Sequence, residues 1–430
     1  MRGFGLQHPF ASAPPPPAST LWWILHIGQS LSTGDNGTPP LSTSNVGSNV
    51  RLYDSSGTYD VTNASANTLS LTGLVAPMRS DKYGGGGLDT SQYPINIGGE
   101  SPEIAMANQL ATLNAGTRYG ASSVGQGGAA MSVIDKGGTG NAYAAAIYET
   151  HAALLRTPTD VSGYVLKAAA SMLTHGEADA SGTVAYYQTA LTTMQSNLQT
   201  DVFALTGQSG TLPMLVFQQN SFPIVGGGPN NSGQAQVQAV VSNPTLLIPC
   251  SPGYGYPTGT DRVHDTNVGY RLRGEKAGQT YYEYSVNSRS IGLTPQLSSI
   301  TRSLNVVTVP WNVVFGPLAW DGVSSPPHQS GALIAFAAGK GFEAYTGGYA
   351  GTPVTINSVA ISGNSVVITC ATNPDTIAYA MNYDDTTAGT YPGGFPDGRC
   401  GLLWDSDPFV GAFSSTAQRN RAWAFWQAGL

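Results

Sequence analysis

Between residues 21 and 286 short apolar runs alternate with amphipathic stretches, the pattern of a parallel sheet with helices packed on its faces. Five runs read as strands: "LWWILHI" (21–27), "TRYGASSV" (117–124), "GYVLKAAASML" (163–173), "PMLVFQQ" (213–219) and "TLLIPC" (245–250), and each is followed by polar or glycine-rich sequence. Helices fall between them. "SPEIAMANQLATL" opens with Ser101 as an N-cap and Pro102 at the first helical position, where its missing N–H costs nothing. Further on, Val184, Tyr187, Leu191, Met194, Leu198, Val202 and Leu205 step by three and four, which makes one apolar stripe facing a core. A last helix is expected from about Thr266 through "NVGYRLRGEKAGQTYYEY". The segment 37–99 is rich in glycine, serine and threonine, is weakly patterned, and reads as a long functional loop.

After residue 286 the texture changes. "NVVTVPWNVVFGPLAW", "GALIAFAAG", "VTINSVAISGNSVVITCA", "TIAYAMNY" and "RAWAFWQAGL" read as β, with Gly363-Asn364 as a hairpin turn. A length of 430 residues agrees with about two domains. The expected architecture is an α/β domain of three α/β/α layers over 21–286, built on a five-stranded parallel sheet. A jelly-roll-like β-sandwich accessory domain follows over 287–430, and an extended, proline-rich N-terminal arm precedes it over 1–20.

Composition narrows the partners. Charged residues are 10% of the chain and glycines number 54, which suits a rigid, loop-rich fold with neutral faces. Eighteen basic and 25 acidic residues give a net charge of -7, with no run of lysine or arginine, so nucleic acid is not expected as a partner. Weak charge suits neutral sugars or esters. No window reaches the roughly 18 to 20 apolar residues of a membrane span. The first 20 residues, with one arginine and an apolar stretch broken by His8 and Pro9, do not read as a signal peptide. Cys250, Cys370 and Cys400 match no CxxC pattern, which removes zinc ribbons and thioredoxin-like chemistry; a Cys370–Cys400 pairing is left open.

Candidate chemistry gathers at the ends of the expected strands, where open α/β sheets bind ligands. Ser30 follows the first, Gly125 to Gly128 the second, "THGEAD" (174–179) the third and "DRVH" (261–264) the fifth. Singly each has an ordinary reading: a turn serine, a glycine turn, a buried structural histidine, an aspartate cap. Together they supply a nucleophile, a base, a carboxylate to orient the base, and donors for an oxyanion, the parts that ester hydrolysis needs.

The ordered blocks "IGQSLSTG", "GQGGAAM", "THGEADAS" and "DRVHDTNVGYRLRGE" resemble those of the SGNH (GDSL-type) hydrolases, most closely the sialate O-acetylesterase-like branch of carbohydrate acetylesterases. The resemblance covers roughly residues 21–286. It implies an SGNH-type fold with Ser30 as nucleophile, His264 as general base and Asp261 orienting it. It further implies an oxyanion hole from the N–H of Ser30, a glycine N–H at Gly127 or Gly128, and His175, with Gln29 and Glu177 in support. No metal or other cofactor is implied. Two letters depart from the branch: Leu31 stands where asparagine is common, and His175 where glutamine is common.

The implied substrate is an acetylated carbohydrate or glycan. Such two-domain proteins are also similar to proteins carried on phage particles, which would make the chain extracellular or virion-associated, with the arm docking a virion partner or a second copy. Three other readings compete. In one, His175, Glu177, Asp179, Asp261 and His264 converge on a metal. In another, the chain is a catalytically weak glycan-binding or structural module presenting Trp311, Trp320 and Trp404. In the third, the ester belongs to a lipid or polyester, although the polar 37–99 segment lacks the apolar character of a lipase lid.

Overall fold

The computed structural model describes residues 19–54, 69–76, 80–83, 95–96, 99–219, 230–259, 261, 263–321, 339–381 and 401–430. The chain is a mixed α/β protein whose large sheet is followed by antiparallel sheets. The strands of the large sheet are β1 (Ser19–Gly28), β2 (Val50–Asp54), β3 (Leu69–Gly73), β4 (Ser80–Tyr83), β5 (Ile95–Asn96), β6 (Arg118–Gln126), β7 (Tyr164–Thr174), β8 (Met214–Gln218) and β9 (Leu247–Pro252). Its helices are α1 (Pro102–Leu113), α2 (Met131–Ile134), α3 (Ala142–Asp160), α4 (Val184–Thr206), α5 (Asn231–Ser242) and α6 (Asn267–Ser285).

All five expected strands are present and run parallel in the order β6-β1-β7-β8-β9. They read as near-continuous apolar runs because helices cover both faces of the sheet. On one face Ile24 and Met172 pack with Ile104, Leu110 and Ala277 of α1 and α6. On the other Leu25 and Ile27 pack with the α4 stripe of Tyr187, Leu191, Met194, Leu198 and Val202. The chain leaves β1 toward β6 and later returns to its opposite side as β7, so the strand order reverses beside β1, where α/β sheets open a crevice.

The sheet is wider than five strands. The described parts of segment 37–99, expected as a loop, include β2 and β4, which both pair in parallel with β6, and β3 and β5, which pair antiparallel to them. These additions are only 2 to 5 residues long. Ladders of that length carry little hydrophobic period of their own.

Beyond α6 lie β10 (Thr301–Ser303), β11 (Val306–Pro310), β12 (Ala319–Trp320), β13 (Phe342–Thr346), β14 (Thr352–Pro353), β15 (Ile356–Ser362), β16 (Ser365–Cys370), β17 (Thr376–Tyr379), β18 (Leu403–Trp404) and β19 (Phe425–Ala428). They form two antiparallel four-stranded sheets, β10-β11-β16-β15 and β14-β13-β17-β19, and the pair β12-β18. Gly363 and Asn364 turn β15 into β16 as expected. "NVVTVPWNVVFGPLAW" is not one strand: β11 ends at Pro310, Trp311 adds only an isolated bridge to Pro295, and a named strand resumes at β12. Val307, Val309, Val366 and Ile368 of one sheet share an apolar cluster with Phe342, Ile377, Tyr379 and Phe425 of the other, and that cluster continues through Val216 and Val237 into the α/β part. The arm at 1–18, most of "GALIAFAAG", and Cys400 lie outside the described residues.

Candidate active site

Ser30 is delivered by the end of β1. The strand stops at Gly28, so close to β7 that a Cβ there would sit 2.1 Å from the Thr174 carbonyl oxygen. Gln29 donates its N–H to that same carbonyl at 3.2 Å. Residues Ser30–Ser32 then close a single 3-10 turn. The Ser32 hydroxyl pins the turn, reaching the carbonyls of Gln29 at 2.7 Å and Val124 at 2.8 Å. A Cβ at Gly125 would lie 2.2 Å from the Ser32 Oγ, so both flanking glycines are needed for the turn to fit between β6 and β7.

The loop between β9 and α6 brings the partners. His264 Nε2 lies 2.7 Å from Ser30 Oγ, and His264 Nδ1 lies 2.7 Å from Asp261 Oδ2. The backbone N–H groups of Val263 and His264 donate to Asp261 Oδ1, each at 3.0 Å. Partial burial pushes the Asp261 carboxyl up, but its hydrogen bonds from His264 and from these two N–H groups outweigh that, and its pKa lies below the ordinary carboxylate value. A ring that donates Nδ1–H to this carboxylate presents Nε2 as the acceptor facing the Ser30 hydroxyl.

One member of the site was not legible in the sequence. Asn36 donates its side-chain amide to Asp261 Oδ2 at 2.7 Å, the oxygen that also takes His264 Nδ1. It does so from a left-handed backbone at φ 67°, a conformation that asparagine tolerates. The separation of 225 residues leaves no local spacing that could have paired the two.

The other expected site residues tie the blocks together. Gln29 Oε1 accepts from the Ala178 N–H at 3.4 Å, and Asp179 accepts from the Met131 N–H at 2.6 Å. Gly127 and Gly128 follow β6 directly, with Gly128 at φ 68°. Glu177 is buried and borders a cavity walled also by Leu31, Thr174, His175, Phe217 and Val263. This cavity abuts the chain neighbours of both Ser30 and His264. Arg273 closes it, paired to Asp265 at 2.7 and 3.1 Å and lying over the rings of Phe217 and Tyr256.

His175 requires a correction. Its ring is fully buried, and burial lowers its pKa, so it is neutral. Nε2 donates to the Ala129 carbonyl at 2.8 Å and Nδ1 accepts from the Tyr187 hydroxyl at 2.8 Å. The single ring proton is already used, and none is left to donate to an oxyanion. Nor do His175, Glu177 and Asp179 join Asp261 and His264 around one point: among the described residues no three metal-ligating side chains cluster.

A serine, histidine and aspartate thus stand in hydrogen-bonded series at the carboxyl end of a parallel sheet, an arrangement that nucleophilic acyl transfer can use. No protein-family model matches the chain, and no curated protein does. Among solved structures the chain is similar to XAC1771, a carbohydrate acetylesterase from Xanthomonas citri, at TM-score 0.53 and 14% identity, over 95% of this chain and 81% of that one. At that identity the likeness speaks for the fold. It is also similar to NanS, at TM-score 0.34 and 13% identity over 55% of this chain and 79% of that one. A tail fiber protein from an E. coli phage matches at 0.29 and 13%, over 84% of this chain and 34% of that one. These last two are too distant to carry an argument.

Proposed function

We propose that the chain is an SGNH-type serine esterase that removes O-acetyl groups from a carbohydrate or glycan. The observation that carries the reading is the unbroken series Ser30 Oγ, His264, Asp261, with both links at 2.7 Å. His264 takes the Ser30 proton as Oγ attacks the ester carbonyl. The same histidine gives that proton to the sugar oxygen as its bond to the acyl carbon breaks, so that the sugar leaves as an alcohol and an acetyl group remains on Ser30. Water, activated by His264 in turn, releases acetate. The N–H groups of Ser30 and of Gly127 or Gly128 are the proposed oxyanion donors, without the His175 side chain. No cofactor takes part.

Leu31, Phe217 and Val263 give the neighbouring cavity an apolar wall on which an acyl group can rest. Residues 21–286 are read as the catalytic unit and 287–430 as its accessory part. The test is acetate release across a panel of acetylated glycans, alongside p-nitrophenyl esters of increasing chain length. Release that falls with chain length and is lost in Ser30→Ala is expected; a preference for long chains would favour the lipid or polyester reading. Residence on a phage particle is a separate proposal, decided by whether purified particles carry the chain.

A further inference from the structure

We propose that a second histidine–carboxylate pair, His26 with Glu103, is a positioning device for the nucleophile turn; the proposal rests on the esterase reading above. His26 lies in β1, two residues before Gly28, and is 0% exposed. It interrupts the apolar run of the central strand, where a polar ring must find partners. Nδ1 lies 2.9 Å from Glu103 Oε2 on α1 and 3.3 Å from Ser123 Oγ on β6. Nε2 lies 2.9 Å from Thr174 Oγ1 on β7. Glu103 is itself held by the Ser101 hydroxyl.

The two hydroxyls that His26 touches belong to the two residues that clamp the turn. Thr174 accepts the Gln29 N–H on its carbonyl, abuts Gly28, and lines the cavity beside Leu31. Ser123 donates its hydroxyl to the Ser32 carbonyl at 2.5 Å. One ring, oriented by a buried carboxylate, therefore fixes the groups on either side of Ser30–Ser32. His264, held by Asp261, contacts Ser30 itself; His26, held by Glu103, contacts the residues that flank the turn. No bond changes in this role: the ring holds two side chains in direction, and a small displacement of a nucleophile is expensive.

The test uses the full chain with Thr174→Val, which keeps the β-branched shape and deletes the hydroxyl. The expected result is an about tenfold lower kcat at unchanged KM. Labelling of Ser30 by a fluorophosphonate, followed by intact mass, should slow in the same proportion. Thr174→Ser should recover both, and Ser123→Ala should reproduce the loss from the other clamp. Thermal unfolding is expected to move by only a few degrees in each. Unchanged kcat and labelling in Thr174→Val would overturn the proposal, as would a loss carried in KM or one that Thr174→Ser does not recover. If wild-type Ser30 is neither labelled nor turns over any ester, the esterase reading itself falls, and this proposal with it.

Discussion

Four donors converge on the Asp261 carboxylate: the N–H groups of Val263 and His264, His264 Nδ1 and the Asn36 amide. The carboxylate is 39% exposed, so water screens each contact and none is worth its buried value. Asn36→Ala is accordingly expected to cost about 1 kcal/mol of transition-state stabilisation, roughly a fivefold fall in kcat with KM unchanged, by steady-state kinetics. His175 supplies a pH signature instead of an oxyanion contact. Because burial lowers its folded pKa, the folded state resists protonation that the unfolded chain accepts near pH 6.5. Its contribution to stability is complete above that pH and is lost as pH falls through the lowered value. Thermal unfolding followed from pH 7.5 downward should show a steeper decline in wild type than in His175→Gln. The order of four sequence blocks led to the expectation that Ser30, Asp261 and His264 come together, and they lie in series. Asn36 and the His175 bonding were not, because they depend on how loops meet.

At the scale of elements, strong periodicity travelled well from sequence to structure. The five apolar runs became β1, β6, β7, β8 and β9, and the stepped stripe became α4. Short edge ladders did not, since β2 and β4 take their register from β6, and β3 and β5 from β2 and β4, rather than from a pattern of their own. Side chains acting as backbone were equally hidden. Gln234 on α5 donates to the Trp426 carbonyl at 2.9 Å and accepts the Trp426 N–H at 2.8 Å. Gln218 at the end of β8 makes the same two-way pairing with Ala424, at 2.6 and 2.8 Å. Each amide thus stands in for a neighbouring strand along the segment that enters β19. Gln234→Ala removes both partners of Trp426 and should destabilise the fold by about 1 to 3 kcal/mol in chemical denaturation. Its rate of ester turnover at 25 °C should match wild type.

Over the whole molecule the α/β part and the strands after α6 are joined by more than the chain. The Tyr254 hydroxyl donates to the Ala422 carbonyl, and Lys276 on α6 is buried against Asp407 at 3.1 Å and the Gln418 carbonyl at 3.0 Å. The apolar cluster that includes Val237 of α5 also includes Phe425 of β19. A chain ended at residue 286 would expose that surface, and it is expected to unfold at lower denaturant than the full chain or to be recovered insoluble. The change of texture after residue 286 was plain in the sequence. The shared core was not, because an apolar residue does not declare which layer it will face.

In the proposed reaction Ser30 carries the acyl group. Rapid acid quench of the full chain during turnover of p-nitrophenyl acetate, followed by intact mass and peptide mapping, tests it most directly. One acetyl group, located on Ser30, and no turnover in Ser30→Ala are the predicted results. An acetyl group on another residue, or undiminished hydrolysis by Ser30→Ala, would contradict the claim.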